Sequence, residues 1–256
     1  MQHGIDLPHG YRQIFYETTD STNAEALRQA ATGQEGGLWI WAGEQRAGRG
    51  RAGRSWNSQV GNLYASLMLR PHISLTTALH LPLLAGVAAH DAILSLAAGA
   101  CLDACPDIRL KWPNDILIGN AKLGGILLES TSSNGAPPVV VIGTGLNLVP
   151  PGDLGRPVAS LYEAGIKVGV TEAFAALAWT TAEWLNRWAD GAGFDLIRAA
   201  WQERAQPIGS TVSVRLGQDI VTGTFLGLDD MGALRLATSS GERRITVGDV
   251  SLGTEA

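Results

Sequence analysis

The chain has 256 residues and a mass of 26.9 kDa, with 19 basic against 24 acidic side chains and a net charge of −5. That acidity excludes a protein that coats nucleic acid through a cationic surface. With 45% hydrophobic and 17% charged residues the chain can bury a real core, and its length suits one large domain plus an appendage.

The N-terminus, Met1-Gln2-His3-Gly4-Ile5-Asp6, has no basic segment followed by an apolar run. No secretory signal is visible, and a cytoplasmic location is expected. Thr22-Asn23-Ala24-Glu25 reads as a capping box, with Thr22 at the cap and Glu25 reaching back. It predicts a helix from near Ser21. Leu38-Trp39-Ile40-Trp41-Ala42 predicts a strand.

Arg46 to Arg54 then places four Arg in nine residues. Gly48 to Gly53 spells G-x-G-x-x-G, but a dinucleotide loop must open a helix. Here Ser55 to Asn62 leads into a strand, Asn62 to Leu69, closed by Arg70-Pro71. An RNA-binding Arg/Gly tract would be longer and less acidic in context. A solvated surface loop accounts for the composition. A lid that orders over an anion accounts for the alternating Gly and Arg, since guanidinium groups bind carboxylate or phosphate.

Leu81 to Leu102 is the most apolar stretch, but Pro82, His90, Asp91 and Asp103 interrupt or bound it. A buried helix over Thr77 to Leu96 fits better than a membrane span. Cys101 and Cys105 lack nearby Cys or His partners for a tetrahedral metal site and read as reduced structural thiols. Strands follow around Arg109–Trp112 and Ile116–Ile118. Between and beyond them lie Lys111-Trp112-Pro113-Asn114-Asp115 and Lys122-Leu123-Gly124-Gly125. Basic residues elsewhere are mostly Arg, 16 in all, and Lys111 and Lys122 are two of only three lysines. A turn with exposed charges would explain the pair. So would a need for compact ammonium groups on flexible stems.

Gly125–Ser130 and Val139–Ile142 read as central strands. After them, Gly143-Thr144-Gly145-Leu146-Asn147 is either a plain strand end or a site where ligand lies against glycine backbone with Asn147 as a polar contact. Helices are predicted over Thr171–Trp188 and Phe194–Arg204. Beyond Gln206-Pro207, short alternating strands about ten residues apart predict a small antiparallel barrel. A domain boundary is expected near 206, giving residues 1–205 and 206–256.

Taken together, Asp20 to Asn23, Gln45 before Gly48 to Trp56, Lys111 to Asp115 with Lys122 to Leu127, and Gly143 to Asn147 closely resemble the ordered motifs of biotin–protein ligases. Gly248 to Leu252 resembles that family's last barrel strand. The resemblance implies an α+β fold: a mixed central sheet with flanking helices, like class II synthetases, plus a C-terminal SH3-like β-barrel. It implies that biotin and ATP, with Mg²⁺, form biotinyl-5'-AMP, and that biotin passes to a lysine of a biotin carboxyl carrier protein.

By the same resemblance, Ser21, Thr22, Asn23, Gln45, Arg49, Gly50, Arg51 and Lys122 would hold biotin. Arg49, Arg51, Trp56, Lys111, Asn114, Asp115 and Asn147 would line the adenylate side. Lys122, Arg51 and Lys111 would be the catalytic cations, and Asp115 a ligand for the Mg²⁺. Only 20 residues precede Ser21, so the form without a DNA-binding domain is expected, with no DNA or membrane partner. A homodimer is compatible with the chain, whose assembly stays open. Some members carry a nucleotide-contacting Arg where this chain has Gly253, so the C-terminal segment is expected to stay out of the ATP site. The alternatives are a lipoate or octanoate transferase of the same fold, and a nucleic-acid-binding module.

Overall fold

The computed structural model describes residues 5–100, 105–131, 138–150, 152 and 154–252. Its larger sheet contains β1 (Arg12–Thr19), β2 (Leu38–Gln45), β3 (Leu63–Leu69), β4 (Ile108–Lys111), β5 (Asp115–Ile118), β6 (Ala121–Thr131) and β7 (Val139–Leu146). The strand order is β1-β2-β3-β7-β6-β5-β4, with β1 parallel to β2 and the remaining pairs antiparallel. β1 has no counterpart among the predicted strands. It is an edge strand, partly or fully exposed along its length, so it lacks the apolar alternation that marks the others.

The period of two along the inner strands sorts their side chains into two layers. Leu38, Ile40, Met68, Val139 and Val141 pack on α1 (Thr22–Ala31) through Ala26 and Ala30. Trp39, Trp41, Leu67, Val140 and Ile142 face the other way, towards α3 (Leu81–Gly99), α4 (Val170–Trp188) and α5 (Phe194–Arg204). A short turn of helix, α2 (Leu75–Ala78), precedes α3. The predicted single helix from Thr77 is therefore divided, with Pro82 in the first turn of α3, where a missing amide costs nothing. By length and composition alone Leu75–Gly99 is long and apolar enough to cross a membrane, yet 72% of its most apolar window is buried in this fold. It is a core helix here.

The cap of α1 sits one residue earlier than predicted. Ser21 is the N-cap and its side chain accepts from the Ala24 amide, whereas the Glu25 carboxylate accepts from Tyr16 at 2.9 Å and Arg28 at 2.7 Å. Cys105 is exposed rather than packed in a core, and Cys101 lies outside the described residues.

The second sheet is antiparallel and runs β11-β10-β9-β8-β12, from β8 (Thr211–Leu216), β9 (Asp219–Leu228), β10 (Leu234–Thr238), β11 (Gly241–Ile245) and β12 (Asp249–Leu252). Val212, Val214, Phe225, Leu228, Leu234, Leu236, Ile245 and Val250 are its buried hydrophobic residues. The closed barrel expected from the strand rhythm is not formed, because β11 and β12 remain unpaired edges. β12 has four residues and β11 buries only Ile245, so neither offers a continuous strand for closure. This sheet is joined to the larger unit by Trp112, whose indole Nε1 donates to the Gly232 carbonyl at 3.1 Å, and by Gln202, which accepts from the Leu228 amide at 2.7 Å.

Candidate active site

A cleft of about 740 Å³ opens where the end of β2, the start of α1, the middle of β6 and the end of β7 meet. Ser21, Thr22, Asn23, Gln45, Arg49, Gly50, Arg51, Trp56, Asn114, Asp115 and Lys122 line it, as does Tyr64, which the sequence did not single out.

One end is a buried polar network. Gln45 Oε1 accepts from the Thr22 amide at 2.8 Å and the Thr22 hydroxyl at 3.0 Å, while its Nε2 donates to Ser58 Oγ at 3.0 Å. The backbone donor at Thr22 settles which way the Gln45 amide points. Ser66 Oγ lies 2.7 Å from Thr22 Oγ1 and 2.6 Å from Asn23 Oδ1. Asn23 Nδ2 donates to Glu129 at 2.8 Å. Ser21, Thr22 and Asn23 are all buried, so these mutual bonds are what make their burial tolerable. Ser66 interrupts the apolar run of β3, and Glu129 ends the apolar run Ile126–Leu128 of β6.

The glycines of β7 serve this network. A Cβ at Gly143 would meet Asn23 Oδ1 at 2.2 Å, and one at Gly145 would meet the Trp56 indole at 2.7 Å. A side chain at either position would displace these neighbours, and Gly143, Thr144 and Gly145 themselves line the cleft. Gly48 is constrained in the same way, by Ser58 Oγ at 2.5 Å.

The centre of the cleft is a lysine–aspartate cluster. Lys111 and Asp115 face each other across the β4–β5 turn, their side chains 3.0 Å apart, and the Lys122 ammonium lies 2.5 Å from the other oxygen of Asp115. Burial pushes the Lys122 pKa down; Asp115 opposes that, and the positive charges of Arg156 and Lys111 add to the lowering. Burial alone would raise Asp115, but the two ammonium groups outweigh it and hold the carboxyl below its ordinary range. Lys122 also sits 5.4 Å from the centre of the Trp56 ring.

Two expected contacts fall elsewhere. Lys111 lines an adjoining cleft with Arg54, Lys122 and Arg156. Asn147 is buried beneath β6, where its Nδ2 donates to the carbonyls of Ala159 at 3.1 Å and Lys122 at 3.4 Å. It props the backbone that carries Lys122 and does not line the cleft. Asp115, the carboxylate expected to help hold Mg²⁺, pairs with a lysine through each of its oxygens.

The third part is the Arg/Gly loop. It forms a tight excursion: Arg49 bridges Ser55, the Gly50 amide donates to the Arg54 carbonyl at 2.7 Å, and Arg51–Gly53 is a short 3₁₀ turn. A strand follows it, as the rejection of a dinucleotide loop required. Arg49 pairs with Glu129 at 3.1 Å. Arg51 donates to Asn114 at 3.2 Å and to the Gly248 carbonyl at 3.3 Å, and Asp249 lies 3.4 Å from Arg51 and 3.2 Å from Arg54. Asp249 therefore brings the C-terminal sheet to the rim of the cleft, against the expectation that this segment stays away. Gly253, on which that expectation rested, lies outside the described residues.

Residues 15–147 match the Biotin/lipoate A/B protein ligase family and residues 208–253 match the Biotin protein ligase C terminal domain. A biotin--[acetyl-CoA-carboxylase] ligase of Paracoccus denitrificans is 40% identical over 242 residues, covering 92% of this chain and 98% of the relative. The bifunctional ligase/repressor BirA of Bacillus subtilis is 35% identical, covering 95% of this chain and 75% of that protein. Among solved structures, the biotin protein ligase of Aquifex aeolicus in complex with biotin and ATP superposes with a TM-score of 0.79 at 28% identity, covering 94% of this chain and 98% of the other. Fold, ordered motifs and relatives agree along nearly the whole length, and the chain belongs to the biotin/lipoate A/B protein ligase family.

Proposed function

We propose that this chain is a biotin–protein ligase that converts biotin and ATP to biotinyl-5'-AMP and pyrophosphate. It then transfers the biotinyl group to a lysine of a biotin carboxyl carrier domain. The observation that carries this reading is one cleft with a buried polar end, a central, partly buried ammonium and an arginine loop at its rim. Residues 1–205 would house the chemistry, with 206–256 contributing Asp249 at the rim. The reaction is assigned to the cytoplasm.

The chemistry follows from charge. A carboxylate is already ionised at neutral pH, so the first step needs no base. A carboxylate oxygen bonds to the α-phosphorus as the bond to the β-phosphate oxygen breaks, and pyrophosphate leaves. The obstacle is repulsion between anions, which fixed cations in a dry cleft relieve. Lys122 is the cation best placed for that: it is partly buried, and its partner Asp115 is a weaker competitor than a polyphosphate. Arg49 and Arg51 would close over the mixed anhydride and exclude water. In the second step the acceptor amine attacks the carbonyl carbon, an amide forms, and AMP departs with the electrons of the broken C–O bond. Mg²⁺ would arrive with ATP, and Asp115, in the cleft lining, is the carboxylate that would share it with the phosphates.

Thr22, Asn23 and Gln45 would meet biotin's ureido ring. Their crowding at the end of the cleft disfavours the long apolar slot that lipoate needs. Purified protein should show biotin-dependent exchange of pyrophosphate into ATP and a thermal shift with biotin but not lipoate. A shift with lipoate alone, and no exchange, would overturn the reading.

A further inference from the structure

Among the described residues, Glu129 is the one carboxylate that touches both the polar end of the cleft and the arginine loop. Its Oε2 accepts from Asn23 Nδ2 at 2.8 Å and its Oε1 from Arg49 Nη2 at 3.1 Å. It lies on β6, opposite Val141 of β7. The other side of Asn23 is fixed as well, by Ser66 and by the space left at Gly143. The amide of Asn23 thus has one permitted orientation, with Glu129 holding its donor side.

We infer that Glu129 is a positioning residue that orients Asn23 for the ligand's head and tethers Arg49, linking head-group recognition to closure of the loop. This rests on the biotin-ligase reading for its ligand, though not for its geometry. The two contacts differ in weight. Asn23 is 3% exposed, so its bond to a carboxylate is shielded from water. The Arg49 side chain is 48% exposed, so its pair is screened and readily exchanged for a substrate anion. The larger consequence of losing Glu129 therefore falls on binding of the head group, the smaller on the loop.

The test is Glu129→Gln, nearly isosteric at a side chain 26% exposed, compared with wild type in three measurements. Limited trypsin digestion reads the loop in the protein without ligand, since Arg51 and Arg54 are cleavage sites within it. Cleavage there should rise about twofold to threefold, the scale of an exposed ion pair. In adenylate formation the KM for biotin should rise about tenfold while kcat changes much less, the scale of one charge-assisted hydrogen bond. Arg49→Gln should raise cleavage at Arg51 to the same extent, and the double variant no further. A wild-type KM and cleavage rate in Glu129→Gln would overturn the inference, as would a fall in kcat alone. Failure of the wild-type protein to form adenylate would instead strike the ligase reading, leaving digestion to decide the tether. Should Glu129→Gln fold poorly, Glu129→Asp, with a shortened reach, serves in all three measurements.

Discussion

The two ends of the cleft are built on opposite principles. At the polar end, Thr22, Asn23, Gln45 and Ser66 are tied to one another and to Glu129 through short bonds in buried surroundings. At the other end, Arg49, Arg51 and Arg54 have side chains 48%, 27% and 58% exposed and lean on the carboxylates of Glu129 and Asp249. The first arrangement is rigid and preorganised, suited to reading a neutral head group by hydrogen bonds. The second is held by screened ion pairs that an arriving anion can replace. Lys122 stands between them, partly buried and cationic.

Substitutions should separate these regimes. The largest effect belongs to Lys122→Ala, which removes the partly buried cation. Adenylate formation should fall about 100- to 1000-fold, with the circular dichroism spectrum unchanged. An unfolded variant would mean that Lys122 serves the fold instead. Next is Gln45→Leu, which leaves Thr22 without its acceptor. Biotin KM should rise about tenfold or more, read by initial rates, with the ATP KM little altered. Arg51→Ala should lower the rate of adenylation far less than Lys122→Ala does and release biotinyl-5'-AMP to solvent about fivefold faster in a filter assay. The smallest effect is expected of Asp249→Asn: the loop loses one exposed partner and release rises about twofold, less at high salt. If Asp249→Asn matched Gln45→Leu in its effect on biotin KM, the contrast between the two ends would be wrong.

The central cluster also carries a pH signature. Asp115 is held below its ordinary value of 3.8, so its pairing stabilises the folded chain at every pH above that value. The contribution is lost as pH falls through the folded-state pKa. Urea unfolding of wild type and Asp115→Asn should differ at pH 7, with the gap narrowing only below about 3.8.

What could be read from the sequence were features set by local chemistry. Strands with apolar faces, the amphipathic α4, the ordered motifs and the rejection of a dinucleotide loop all needed only neighbouring residues. β1 escaped because an edge strand is not obliged to alternate. The cap of α1 was misplaced by one because Ser21 and Thr22 offer the same hydroxyl, and only the backbone decides between them. In the site, most cleft-lining residues were legible through motif order. Long-range partners were not: Glu129 meets Asn23 across 106 positions and Asp249 meets Arg51 across 198. Nor could the sequence show that Gly143 and Gly145 make room for Asn23 and Trp56 while also lining the cleft. Asn147 was placed in the cleft because it ends a motif, yet its amide is spent on the strand behind Lys122.

The most direct test of the account is to incubate the purified chain with biotin, Mg-ATP and radiolabelled pyrophosphate, and follow label entering ATP. Biotin-dependent exchange, abolished by Lys122→Ala, with biotinyl-5'-AMP recovered by mass spectrometry, is the predicted result. Exchange that ignores biotin, or that survives intact in Lys122→Ala, would contradict it.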